Sequence, residues 1–140
     1  MTSKTCDMLL NKGSEWLAEG LAQAWTYLDL AYYAGTEERV RLMFVARDCC
    51  RMVGTVAVKK SLPPGSWPLG NELMHGVEEV RKGVQALDDL MHDTRIDLLM
   101  RGRAARARNL MNMAATRAQA CLDQAAVLAL AADAMTQEAI

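Results

Sequence analysis

The chain has 140 residues, of which 51% are hydrophobic and 24% are charged, and its formal net charge is −1. This length suits one domain with a continuous core, and such an apolar composition excludes intrinsic disorder. The near-zero charge excludes a strong overall field towards nucleic acid or an anionic membrane. Because no run of about 18 uncharged apolar residues occurs, no transmembrane helix is expected.

The composition predicts an all-α fold. Alanine, leucine and methionine favour helices and are abundant, whereas aromatic residues make up only 5% of the chain. Apolar residues recur every three or four positions, the pattern of helices that bury one side against each other. We therefore predict an antiparallel bundle of about four long helices joined by short loops. In this prediction a single domain covers 1–140, with helices at approximately 3–34, 36–62, 71–100 and 103–139.

The first predicted helix, 3–34, ends before Gly35, since glycine commonly terminates helices. Two further glycines, Gly13 and Gly20, interrupt the helix at a cost of about 1 kcal/mol each relative to alanine. Either they allow another helix to come close, or this part of the helix is loosely formed. The apolar seam of this helix consists of Leu10, Leu17, Leu21, Ala24, Leu28 and Ala31.

The second predicted helix, 36–62, has a suitable N-cap in Thr36 and is stopped by Pro63. A loop rich in proline and glycine follows, with Trp67 at its middle. We expect Trp67 to pack against one end of the bundle. The apolar seam of this helix consists of Leu42, Ala46, Cys49, Val53 and Val56.

Two positions compete for the turn between the third and fourth predicted helices. Thr94 and Asp97 form a capping-box pattern, which would place the turn at His92-Asp93. Alternatively, Gly102 marks the turn, at the place where the apolar phase shifts. We favour Gly102, because the apolar stripe of the third helix keeps its register through Leu98. The third stripe is Leu73, Val77, Val80, Val84, Leu87, Met91, Thr94 and Leu98, and the fourth is Ala107, Met111, Ala114, Ala118, Cys121, Ala125, Leu128, Ala132 and Met135.

The residues offer no arrangement typical of catalysis or metal binding. His75 and His92 each follow an acidic residue by three positions, as in di-iron helical bundles. However, they lie roughly 25 Å apart along one predicted helix, so they cannot share a metal ion. No catalytic residue, metal or cofactor is therefore predicted.

Four cysteines occur without a secretory or transit signal at the N-terminus. This combination predicts reduced thiols and a cytoplasmic protein. Cys49 and Cys121 lie on predicted apolar seams, where cysteine behaves as a small hydrophobic residue.

A basic segment runs through the predicted turn and the fourth helix, with no acidic residue between Asp97 and Asp123. Its arginines have three possible roles: ion pairs with acidic residues of the third helix, contacts with an acidic partner protein, or contacts with phosphates of nucleic acid. We expect the first role to account for most of them. The candidate residues are Arg95, Arg101, Arg103, Arg106, Arg108 and Arg117.

A second candidate surface combines the second and first helices. Apolar and arginine residues occupy the side of 36–62 opposite its seam, a composition enriched at binding hot spots. Aromatic residues also flank the seam of 3–34, either because that helix touches two neighbours or because it meets another chain. The candidate partner-binding residues are Val40, Phe44, Arg47, Arg51, Trp16 and Tyr27.

These patterns favour a non-enzymatic cytoplasmic protein that acts through protein–protein interaction, as an adaptor, chaperone, inhibitor or regulator. We expect the partner to be another protein, a second copy of the chain, or both, with a homodimer as the expected oligomer. The alternative is a nucleic-acid-binding regulator that uses the stripe from Arg95 to Arg117.

Overall fold

The structure is a computed structural model, and it describes residues 2–32, 45–48, 68–93 and 98–138. Almost all of these residues are helical, and none of them belongs to a strand. Three long helices are α1 (Thr2–Tyr32), α2 (Pro68–Met91) and α3 (Leu98–Glu138), and residues 45–48 are helical as well. The prediction of an all-α fold is confirmed. No helix in the described part of the chain is both long and apolar enough to cross a membrane.

The longest helix, α3, is the centre of the described structure, because α1 and α2 both pack against it while touching each other little. The Sγ of Cys6, near the start of α1, lies 3.4 Å from the carbonyl oxygen of Ala125. Gly20, further along α1, lies against Ala114. Residue numbers therefore rise along α1 as they fall along α3, so the two helices run in opposite directions.

Helix α2 also runs opposite to α3. The guanidinium of Arg81 donates to the side-chain oxygen of Asn112 at 3.4 Å, and Arg108 pairs with Asp88 at 2.6 Å. At one point α2 also reaches α1, where Leu73 lies against Gly13. Helices α1 and α2 thus cover two sides of α3.

The apolar seams predicted for these three helices are buried or half-buried wherever their side chains are described, except at Leu98. The predicted seam residues Ala31, Thr94, Ala132 and Met135 lie outside the described side chains. Leucines dominate the contribution of α1, whereas the buried side of α3 consists mainly of alanine. Small side chains allow neighbouring helices to approach closely, which lets one helix serve as the core of the assembly. The buried alanines of α3 are Ala104, Ala107, Ala114, Ala115, Ala118 and Ala125.

The role of the two glycines in α1 is close packing. A Cβ atom on Gly13 would lie 2.9 Å from Cδ2 of Leu73 and 3.2 Å from Cβ of Cys121. A Cβ atom on Gly20 would overlap the Cβ of Ala114. Of the two explanations that the sequence left open, close approach is therefore correct, and α1 is helical through both glycines.

The predicted turn at Gly102 is wrong. The chain turns at His92-Asp93, where the amide of Asp93 donates to the carbonyl of Leu90 at 3.1 Å. Helix α3 already begins at Leu98, so the predicted boundaries 71–100 and 103–139 are corrected to Pro68–Met91 and Leu98–Glu138. Gly102 lies inside α3, and among the residues that the structure describes no atom of another part of the chain lies within 4 Å of where its Cβ would be.

The apparent continuity of the third stripe misled this prediction. Leu98 has the spacing expected for a stripe position after Met91 and Thr94, yet 82% of its surface is exposed. Because the chain turns between these residues, α3 has its own helical phase and Leu98 falls on its outer side. Thr94 and Asp97 of the competing capping box lie outside the described residues, as do Trp67 and most of the predicted helix 36–62.

Substituting Gly20 tests the close packing of α1 on α3. In an open helix, Gly→Ala stabilises by about 1 kcal/mol. Here the added methyl meets a side chain that cannot rotate away, so we expect Gly20→Ala to lower the free energy of unfolding by about 2 kcal/mol. Gly102→Ala is the matched control, and it should raise the free energy by up to about 1 kcal/mol. Urea denaturation followed by circular dichroism measures both, and equal stabilisation by the two substitutions would contradict the packing.

Candidate interaction surface

Helix α3 carries a second stripe of regularly spaced residues, on the side opposite to its buried alanines. The members alternate at intervals of three and four residues, which keeps them on one side of a helix. All ten are exposed. We call this set the outward stripe. It consists of Leu99, Gly102, Arg106, Asn109, Met113, Thr116, Ala120, Asp123, Val127 and Leu130.

The outward stripe is unusually apolar for an exposed helix side. Its large hydrophobic residues are exposed by 64% at Leu99, 53% at Met113, 64% at Val127 and 69% at Leu130. The remaining members are small or uncharged, except for one arginine and one aspartate. A helix side that faces only water is normally rich in charge, so this composition makes the outward stripe a candidate contact surface.

Sequence reasoning missed this stripe because it followed one apolar phase per helix. In α3 the buried phase contains Ala107 and Met111, and the outward phase lies two residues later, at Asn109 and Met113. The signal was present in the spacing of Leu99, Met113 and Val127, which are fourteen residues apart. It was hidden because small, polar and charged residues fill the stripe positions between them.

The structure brings two predicted aromatic residues together with two predicted arginines. The guanidinium of Arg117 lies 5.8 Å from the ring centre of Trp16, and that of Arg106 lies 5.6 Å from the ring centre of Tyr27. The aromatic pair on α1 and the arginine pair on α3 are each eleven residues apart, which matches the opposite directions of the two helices. Both distances fall within the range of cation–π attraction.

These contacts change how both predicted sites are understood. Trp16 and Tyr27 are half-buried and lie beside cations of their own chain, and the ammonium of Lys12 is also 5.1 Å from the Trp16 ring centre. Arg106 and Arg117 remain exposed but contact α1. Predicted residues of two separate sites therefore form one set of contacts that joins α1 to α3.

Two other arginines of the basic segment also have partners within the chain. Arg108 pairs with Asp88 of α2 at 2.6 Å, as expected for a basic helix packed against acidic residues. Arg101 donates to the carbonyl of Asp93 at 3.4 Å. Arg103 is half-buried, and Arg95 lies outside the described residues.

The predicted surface on the second helix is described at one residue only. The guanidinium of Arg47 lies 4.5 Å from the ring centre of Trp25, so this residue contacts α1. Its neighbour Ala46 is buried, as its place on the predicted seam requires. The other candidates on this helix, which lie outside the described residues, are Val40, Phe44 and Arg51.

The two described cysteines are buried thiols with raised pKa values. Burial raises the pKa of the Cys6 thiol, and the nearby carboxylate of Asp7 raises it further. Burial also raises the pKa of Cys121, although Lys12 opposes the shift. Both thiols therefore stay protonated at neutral pH, and a protonated thiol is a poor nucleophile.

The two histidines lie on the surface of α2 and of the turn that follows it. His75 is exposed, and the exposed His92 has its Nδ1 atom 2.7 Å from the carbonyl oxygen of Asp88. Within the described ranges, no group of three or more histidine, cysteine, aspartate or glutamate residues could hold a metal ion.

Comparison with known proteins adds no relative. The sequence matches no protein-family model, and no curated protein or solved structure is significantly similar to it. The surface chemistry of the described residues therefore carries the functional argument.

A double-mutant cycle tests the pairing of Arg106 with Tyr27. We expect Arg106→Gln and Tyr27→Leu to show a coupling of about 0.5 kcal/mol in the free energy of unfolding, the value typical of exposed cation–π pairs. The same cycle with Arg103→Gln is the control, because Arg103 makes no such contact with Tyr27, and its coupling should be near zero. Denaturant unfolding at low protein concentration measures both cycles. Equal coupling for the two arginines would contradict the pairing.

Proposed function

We propose that this protein is a non-enzymatic interaction module whose main contact surface is the outward stripe of α3. In this proposal, residues 1–140 form one antiparallel four-helix bundle, with the helix that includes 45–48 packed beside α1. The module binds another protein, a second copy of itself, or both, and so acts as an adaptor, chaperone, inhibitor or regulator.

The exposed hydrophobic side of α3 is the observation that carries this proposal. Leu99, Met113, Val127 and Leu130 lie along about 45 Å of one helix, at about 1.5 Å per residue. Leaving such side chains in water forgoes about 25 cal/mol for each Å² of apolar surface that a partner could cover. Large apolar side chains spaced along one side of a helix over this length are typical of helices that bind in grooves or pair with other helices.

The thiol chemistry supports a cytoplasmic location as part of the proposal. Cys6 and Cys121 are both buried and unpaired with another cysteine. Proteins that keep buried cysteines reduced are typical of reducing compartments.

Nucleic-acid binding remains the alternative function, and the high arginine content of α3 favours it. Five arginines and no acidic residue occur between Leu98 and Leu122. Against this alternative, four of the five have contacts inside the chain, to Asp88, Asp93, Trp16 and Tyr27. Phosphate binding would require several of these arginines to give up those contacts.

Placing a charge in the outward stripe tests the proposed surface. We expect Met113→Glu to weaken binding of the partner, or self-association, at least about tenfold, because the carboxylate would lose its water in the interface. Met8→Glu is the matched control, since Met8 is an exposed methionine on α1 and lies outside the stripe. Sedimentation velocity measures self-association, and quantitative affinity capture from the native host measures other partners. If Met113→Glu and Met8→Glu bind alike, the stripe is not the contact surface.

A salt titration tests the alternative function. We expect labelled DNA and RNA to show no saturable binding at physiological salt, because the arginines are held by contacts within the chain. Fluorescence anisotropy at several salt concentrations makes the measurement. Saturable binding that weakens steeply with added salt would instead support nucleic-acid recognition, because phosphate contacts release counterions.

A further inference from the structure

We infer that the partner of the outward stripe is a second copy of this chain, bound antiparallel around a two-fold axis between Met113 and Thr116. This inference rests on the proposed function, because it names the occupant of the proposed surface. Four independent features of the stripe point to it: its spacing, its charges, the sizes of its side chains and the environment of Gly102.

The spacing of the stripe fits a helix pair. Alternating intervals of three and four residues over Leu99–Leu130 match the core positions of a two-stranded coiled coil. A two-fold axis between Met113 and Thr116 brings residues at equal distances on either side of it together. Met113 then faces the partner's Thr116, and Asn109 faces the partner's Ala120.

The charges of the stripe are self-complementary in this register. Arg106 lies seven residues before Met113, and Asp123 lies seven residues after Thr116. The guanidinium of Arg106 is exposed where it contacts the Tyr27 ring, so in the dimer it would turn from Tyr27 towards the partner's Asp123, and the two-fold axis repeats this ion pair. A parallel pair in register would instead place arginine against arginine and aspartate against aspartate, which repel.

The side-chain sizes are also complementary. Leu99 lies fourteen residues before Met113 and Leu130 lies fourteen after Thr116, so two leucines meet at each end of the contact. Gly102 faces the partner's Val127, which places a large side chain opposite the smallest. Such alternation of large and small residues fills the space between helices.

The position of Gly102 is otherwise unexplained by packing within the chain. Glycine costs about 1 kcal/mol inside a helix, and within the described ranges no other part of the chain comes within 4 Å of where the Cβ of Gly102 would be. Three other glycines of the described helices, Gly13, Gly20 and Gly83, each face a close neighbour on another helix. A close approach by a second chain gives Gly102 the same role.

The size of the contact predicts a weak, reversible dimer. A helix pair about 45 Å long and about 10 Å wide covers about 450 Å² on each chain, or about 900 Å² in total. Stable interfaces bury about 1,200 Å² or more. The dimer should therefore form in the micromolar range or above, and its fraction should rise with protein concentration.

A charge-reversal series measured by sedimentation velocity tests orientation and register together. Asp123→Arg places arginine against the partner's Arg106 twice, and we expect the dissociation constant to rise at least about tenfold. The double variant Asp123→Arg/Arg106→Asp restores opposite charges and should recover most of that loss. Lys4→Glu is the charge control, because Lys4 is an exposed residue of α1 outside the stripe. This substitution should leave the dissociation constant unchanged.

Two further variants keep the test independent of folding. Gly102→Gln adds a helix-compatible side chain where the chain itself leaves open space, so it should keep monomer stability and weaken the dimer by blocking the partner's Val127. Disulfide trapping then reports whether the two α3 helices of the dimer run parallel or antiparallel. A mixture of Asn109→Cys and Ala120→Cys chains should cross-link to each other under mild oxidation, identified by mass spectrometry of the linked peptides, whereas parallel pairing would link each variant mainly to itself.

The outcomes separate this inference from the proposed function. Rescue by the double charge variant together with mixed cross-linking supports the antiparallel dimer. The inference is overturned if the chain stays monomeric up to the highest concentration measured. It is also overturned if neither charge variant changes the dissociation constant of the dimer. In either case the proposed function would still stand if Met113→Glu abolished the binding of another protein, and it would fail separately if that variant changed no association.

Discussion

Close packing of α1 against α3 is the constraint on which the rest of the described structure depends. Gly20 lies directly on Ala114, and Gly13 fits between Cys121 and Leu73. Helices that approach so closely leave little room for large side chains, so the buried side of α3 consists mainly of alanine. Larger groups are displaced to the edges of the contact, where the arginines of α3 meet the aromatic rings of α1.

That displacement also explains the distribution of charge. Helix α2 carries five acidic residues against two basic ones, and the first 25 residues of α3 carry five arginines and no acidic residue. A basic helix therefore lies beside an acidic one, and the pair between Arg108 and Asp88 joins them. Such partly exposed pairs each contribute little to stability, about 0 to 1 kcal/mol. Their larger effect is to occupy arginines that would otherwise be available to an anionic ligand.

Because Arg108 and Arg117 contact α2 and α1, and Arg101 contacts the turn before α3, the opposite side of α3 is left low in charge, with Arg106 as the arginine of the outward stripe. The outward stripe thus lies on the side of α3 that does not pack against α1 or α2. Helix α3 therefore has two different faces. One face is buried, tightly packed and made mainly of alanine. The other is open, holds larger apolar side chains such as Met113 and Val127, and suits a contact that forms and dissociates.

The sequence by itself determined the helical class and most of the buried residues, because the 3.6-residue period of an α-helix is a local property that apolar spacing records directly. It also indicated that basic residues of α3 would pair with acidic residues of α2, which Arg108 and Asp88 do. It could not place the turn before α3, since the stripe from Leu73 to Leu98 keeps its register across a break in the helix. Only the tertiary structure decided that Trp16 and Tyr27 lie beside Arg117 and Arg106, and which side of α3 faces outward, because these depend on how two helices distant in sequence are oriented around each other.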